Sequence, residues 1–293
     1  MNNTYSPLSV DIVEEIKVFL DTKKRQDNID AQFPNALLRE DVLDLLDRYC
    51  TVIYFPLNDE DNNGFHVTGI PHYEGKEQHF VFMNTAQTIE KQAFTAAHEL
   101  GHIWNVDNFV ASKCGLHLTQ ELEEQIINRF AAELLIPEPQ FMNAFFFETA
   151  KYKADDGTIT VSNMLKVIVA LMYHFFAPVK AVVYRCQELH LSPSITASLL
   201  LGQAEISEQL VDDYIKEIIR DNGYVQFQKP TYKKWISGLS ELLEIAETSG
   251  IVSATKIEAM RNLFDLTQAR DLRQIQGFIE ITPQEGDDIT NDN

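Results

Sequence analysis

The sequence predicts an α+β fold: a small antiparallel or mixed sheet packed on a pair of helices, followed by a mainly helical C-terminal region. Three observations predict it. Two amphipathic helical stretches open the chain. Runs of β-branched and aromatic residues follow, confined to residues 51–84. From Thr88 onward apolar residues recur at three- and four-residue spacing, broken near Cys114 and Gly115, at Pro137 and Pro139, at 155–157, at Pro178, at Pro193 and at 221–223. A chain of 293 residues suffices for one large or two small domains, and no internal repeat divides it.

Residues 11–24 place Ile12, Val13, Ile16, Phe19 and Leu20 at helical spacing, and residues 39–49 repeat the signal with Val42, Leu43, Leu45 and Leu46. Residues 51–55 are β-branched and aromatic and predict a strand. Residues 58–64 predict a turn. Their alternating side-chain oxygens mimic a calcium loop, but no glutamate follows at the loop's last position, so the turn is read as solvated. Residues 65–70 and 78–84 predict a hairpin around 71–76. Four phenylalanines at 141, 145, 146 and 147 are expected in the core or between helices, with a hydrophobic peptide pocket as the other reading. Residues 1–190 are expected to form one domain and 191–276 a helical recognition or dimerisation region. Acidic residues without basic ones make 277–293 a disordered tail.

Charge narrows the partners. With 24 basic and 44 acidic residues the formal net charge is −20. Direct nucleic-acid binding needs clustered Lys and Arg, and an anionic membrane surface needs the same, so neither is expected. Only residues 151–200 lean basic, and weakly. Cys50, Cys114 and Cys186 are odd in number and far apart, which excludes a disulfide framework and a CxxC site. Residues 1–15 lack the basic and apolar regions of a signal peptide. The apolar stretch from Met164 to Val183 is interrupted by Lys166, His174, Pro178 and Lys180, short of the ~18 apolar residues a span needs. A cytoplasmic location is the expectation.

One stretch carries chemistry: Phe94-Thr-Ala-Ala-His98-Glu99-Leu-Gly-His102. Two histidines at i and i+4 share a helix face, so their imidazoles can hold one metal ion. Glu99, beside the first histidine, suits a general base that takes a proton from water and passes it to a leaving amine. The strand 78–84 just before the helix completes a zincin-like arrangement, and as an edge strand it is expected to pair with an extended peptide. A catalytic site needs a third protein ligand. Residues 118–136 form a second helix whose apolar stripe holds Leu122, Ile126, Ile127, Phe130, Ala131 and Leu134. Glu121 falls opposite that stripe. Spacing leaves Glu123 and Glu124 both open; Asn128, one turn after Glu124 and able to support a ligand histidine, favours Glu124. His117 and Asp107 fit less well, and Asn105 and Asn108 stand where a metzincin would need glycine and histidine.

The segment 94–102, followed by Glu124-x-x-x-Asn128-x-Phe130-Ala-Ala-Glu-Leu-Leu-Ile-Pro137, resembles the ImmA/IrrE family of metallopeptidases, as does Ala181-x-x-x-Arg185 after His174-Phe-Phe. The resemblance covers roughly residues 45–190. It implies a gluzincin-like site with His98, His102 and Glu124 as zinc ligands and Glu99 as catalytic base. It implies Zn2+ as cofactor and, as substrate, a helix-turn-helix repressor of mobile-element or stress genes. No N-terminal helix-turn-helix fusion is recognisable, so any repressor is expected as a separate chain. Ile127 departs from the family's usual alanine.

The sequence thus favours a zinc endopeptidase of narrow specificity acting on a partner repressor. A second reading is a metal-containing anti-repressor module that sequesters its partner without cutting it; a third is hydrolysis of a non-peptide bond. A donor for transition-state charge is also needed. His117, Tyr173, His174, Tyr184 and Arg185 are candidates, each better read as structural.

Overall fold

The computed structural model describes residues 8–29, 37–57, 63–68, 79–191, 200, 208–224, 227–264 and 266. The chain divides into two compact units, Met1–Lys233 and Lys234–Asn293. The first opens with α1 (Val10–Gln26) and α2 (Asp41–Asp47). The amide of Ile12 donates to Ser9 Oγ at 3.5 Å, which caps α1, and Lys23, Lys24 and Arg25 complement the negative end of its dipole. Ile12, Ile16 and Leu20 recur every fourth residue and are buried.

Strands β1 (Thr51–Phe55), β2 (Gly64–Thr68) and β3 (His79–Asn84) follow. β1 pairs parallel with β3, with Val52 opposite Val81 and Tyr54 opposite Met83. β2 pairs antiparallel with β3, with Phe65 opposite Phe82. Val52, Tyr54, Val81 and Met83 are buried, as period-two alternation requires of a half-covered sheet. The expected hairpin neighbours are therefore present, in a mixed sheet. One expectation is corrected. β3 is not an edge strand: it lies between β2 and β1, and β2 is the outermost strand on that side. The parallel partner occupies the ladder that a peptide would have used.

The helices are α3 (Ile89–Ile103), α4 (Val106–Cys114), α5 (Gln120–Leu135), α6 (Glu138–Ala150), α7 (Val161–Phe175), α8 (Val179–Glu188) and α9 (Glu208–Asp221). α3 packs against α2, β3 and α5, and α5 packs in turn against α1 and α4, so α3 lies between the sheet and the other helices. Gly101 permits the contact of α3 with α5. A Cβ there would meet Phe130 Cδ1 at 3.0 Å and Ile127 Cδ1 and Cγ2 at 3.2 Å. α5 is capped by Thr119, whose Oγ1 accepts from the Leu122 amide at 3.2 Å. The first turn of α3 is tied down from far along the chain. The Ile89 amide, one of the donors a helix start leaves unpaired, donates to the Lys229 carbonyl at 3.1 Å, and the Tyr232 amide donates to the Thr85 carbonyl at 2.9 Å.

Phe141 and Phe145 on α6 are buried, whereas Phe146 and Phe147 are exposed. Between α5 and α8 lies a buried ionic cluster. Glu133 pairs with Arg129 at 2.7 Å and with Arg185 at 3.0 Å, and Glu188 pairs with Arg185 at 3.0 Å. Among the described residues no single helix is long and apolar enough to cross a membrane; α7 and α8 reach that length only together, bent by 107°. The second unit contains β4 (Trp235–Ile236), α10 (Leu239–Ser249) and α11 (Ala254–Leu263), with Leu239, Leu243 and Ile257 buried. Most of the turn 58–64, the loop 71–76 and the tail 277–293 lie outside the described residues.

Candidate metal centre

α3 is built from good helix formers. Ala93, Ala96, Ala97 and Leu100 are buried against the core, which leaves His98 and His102 together on the face toward α5. Their rings are 4.9 Å apart between centroids, and Nε2 of one lies 3.1 Å from Nε2 of the other. Glu124 on α5 closes the triangle. Its Oε2 is 3.4 Å from His98 Nε2 and its Oε1 is 3.8 Å from His102 Nε2. His98, His102 and Glu124 each offer one ligand atom, all within 4.8 Å of one another.

That donor set fits a divalent ion. Ligands about 2.0–2.1 Å from a tetrahedral ion stand roughly 3.3 Å apart, and two imidazoles with one carboxylate leave a fourth position open. His98 is also prepared for it. Nδ1–H of His98 donates to Oδ1 of Asn128 at 3.1 Å, which leaves the lone pair on Nε2, the nitrogen that faces His102 and Glu124. Burial, and then the neighbouring His102, push the His98 pKa down to about 4, against the support of Asn128. A neutral ring is the form that binds a cation.

Glu123 and Glu124, both left open by spacing, meet different nitrogens of the histidine pair. Glu124 faces both Nε2 atoms. Glu123 approaches His102 from behind, with its Oε1 3.8 Å from Nδ1. Glu121 is exposed, as expected.

Glu99 is 5 % exposed, and its Oε2 finds no hydrogen-bond partner among the described residues. Burial, and then the charge of Glu124, raise its pKa to about 7. A carboxyl poised near neutrality can both take and return a proton. A buried carboxyl oxygen without a partner costs stability.

Other candidates go elsewhere. Arg185 is committed to Glu133 and Glu188. Tyr173 stacks on Tyr224 with centroids 3.9 Å apart. Asp107 is buried at the start of α4 and accepts from Asn108 Nδ2 at 3.1 Å. Two histidines outside the HExxH segment lie nearby. His66 on β2 and His79 on β3 are joined by a 2.9 Å contact between Nε2 and Nδ1, and the His66 ring is 6.4 Å from that of His102. Their sequence signal is alternation: His66 falls between Phe65 and Val67, which are exposed.

Residues 47–187 match the family model of the IrrE N-terminal-like domain, a peptidase family (Peptidase_M78). No curated protein sequence matches the chain. The matched segment contains all of α3 and α5, and the match supports assignment of residues 47–187 to the ImmA/IrrE family.

Proposed function

We propose that this protein is a zinc-dependent endopeptidase of narrow specificity that cleaves a separate helix-turn-helix repressor and so relieves repression. The observation that carries the reading is the convergence of His98 Nε2, His102 Nε2 and the Glu124 carboxylate beside the buried Glu99. His98, His102 and Glu124 would hold the ion. When bound, zinc supplies Lewis acidity, which polarises a carbonyl and brings the pKa of water from 15.7 to roughly 7.

The chain's own residues account for the rest. Asn128 fixes the His98 tautomer. Glu99 takes the proton of the attacking water and returns it to the leaving amine nitrogen, a duty worth ~10²–10⁴-fold in rate. The substrate runs along β2, the outermost strand, rather than along β3. The repressor as substrate is supported by the family resemblance of residues 94–137.

The test uses the zinc-loaded chain and a co-encoded helix-turn-helix protein, followed by mass spectrometry of the products. Cleavage at one site is expected from wild type and none from Glu99→Gln, with metal content equal in both. If Glu99→Gln relieves repression as well as wild type does, the protein acts by sequestration instead.

A further inference from the structure

Cleavage of a peptide bond builds negative charge on the carbonyl oxygen, and a preorganised donor aimed at that charge is a large term in catalysis. Arg185 and Tyr173 are engaged elsewhere. A different side chain lies beside the histidine pair of α3. His66 is on β2, where Phe65 and Val67 are 42 % and 45 % exposed, so alternation turns His66 to the other face of the strand. Its ring centroid is 6.4 Å from that of His102. His66 is half-buried and held: its Nε2 meets Nδ1 of His79, itself half-buried on β3, at 2.9 Å. The ligand cluster comprises His98, His102 and Glu124 without His66, which therefore stands next to the ligands rather than among them.

We infer that His66, held by His79, is the hydrogen-bond donor for the oxygen that gains charge during cleavage. The inference rests on the peptidase reading above. Because His79 engages Nε2, the nitrogen of His66 left to face substrate is Nδ1. In a neutral pair the two proton positions are linked. When His79 Nδ1–H donates to His66 Nε2, His66 carries its own proton on Nδ1 and has a donor to offer. The reverse arrangement makes Nδ1 an acceptor and leaves His79 with the outward N–H. An anion at the site selects the first arrangement, and exchange between the two changes no net charge. A neutral donor also leaves a divalent cation unrepelled. His66 is thus the residue that touches substrate, and His79 is a positioning residue that sets its tautomer.

The experiment measures acetohydroxamate, a small anionic zinc ligand, binding to the zinc-loaded full chain by calorimetry. Zinc affinity is measured separately by chelator competition. His66→Ala is expected to weaken acetohydroxamate about tenfold, the scale of one hydrogen bond to a charged group, and to leave zinc affinity within about twofold. His79→Ala weakens acetohydroxamate less, and the double variant no more than His66→Ala alone, because His79 acts through His66. His66→Gln, which keeps an N–H, restores part of the loss. In wild type carrying zinc and acetohydroxamate, 15N NMR places the His66 proton on Nδ1. Unchanged acetohydroxamate affinity in His66→Ala overturns the inference. So does a loss of zinc affinity in that variant, which would make the ring a ligand, and so does a proton on Nε2, a result that needs no variant to fold. Wild type that takes up no zinc overturns the peptidase reading itself, and this inference with it.

Discussion

Nδ1 of His98 lies 3.1 Å from Oδ1 of Asn128, across the contact between α3 and α5. The bond joins the two helices that carry the candidate ligands and decides which nitrogen of His98 is free. Partners of this kind affect metal affinity ~10–100-fold. Asn128→Ala is expected to weaken zinc binding by that factor and to keep the stoichiometry of one ion per chain. Chelator competition measures it; an unchanged affinity would mean that the ring needs no second partner.

Gly101 sets how closely α3 approaches α5. Phe130 and Ile127, the residues an added Cβ would press on, are fully buried and have nowhere to move. Overpacking of a tight core costs about 1–3 kcal/mol, against ~1 kcal/mol gained from the better helix propensity of alanine. Gly101→Ala should therefore lower the melting temperature and weaken zinc binding together, because Gly101 precedes His102. Gain of stability in thermal melts would show that the interface is looser than these distances.

The buried ionic cluster and the surface pair Lys17–Glu138 offer a contrast. Arg185 is 1 % exposed and pairs with Glu133 and Glu188, while the Lys17 and Glu138 side chains are 31 % and 39 % exposed at 3.1 Å. Removing one member of a buried pair strands the others and costs about 3–5 kcal/mol; an exposed pair is worth less than about 1 kcal/mol. Denaturant melts of Arg185→Ala and Lys17→Ala should differ by that margin. Equal losses would remove the cluster from the account of how α8 holds α5.

His66 provides a dependence on pH. Burial, and then the neighbouring His79 and His102, lower its pKa to about 4, whereas an unfolded histidine titrates near ~6.5. As pH falls through 6.5 the unfolded chain takes up a proton that the folded chain refuses, so folding loses stability, levelling off below about 4. His66→Gln lacks this term. In chelator-treated protein the variant should become more stable relative to wild type as the pH falls from about 7.5 to about 5. A difference that does not change with pH would mean that the ring is charged in the fold.

What the sequence made legible was local. The HExxH segment declares itself because i and i+4 meet on any helix, and the early strand and the two N-terminal helices follow from period two and period 3.6. Glu123 and Glu124 stayed unresolved because adjacent positions differ by only ~100° around a helix; the choice depends on which carboxylate meets Nε2 of both histidines. Alternation reveals a strand and not its neighbours, so nothing local distinguishes β3 from an edge; its parallel partner β1 joins from 29 residues earlier in the chain, Thr51 opposite Phe80. His66 and His79 needed the hairpin register, and the link between Arg185 and Glu133 spans 52 residues, beyond any local pattern.

The central claim is that His98, His102 and Glu124 hold one metal ion. Elemental mass spectrometry of the purified chain tests it most directly, with Glu124→Ala and Glu123→Ala alongside. The account predicts about one zinc per chain in wild type, lost in Glu124→Ala and retained in Glu123→Ala. No metal in wild type, even after zinc is added to chelator-stripped protein, would contradict it.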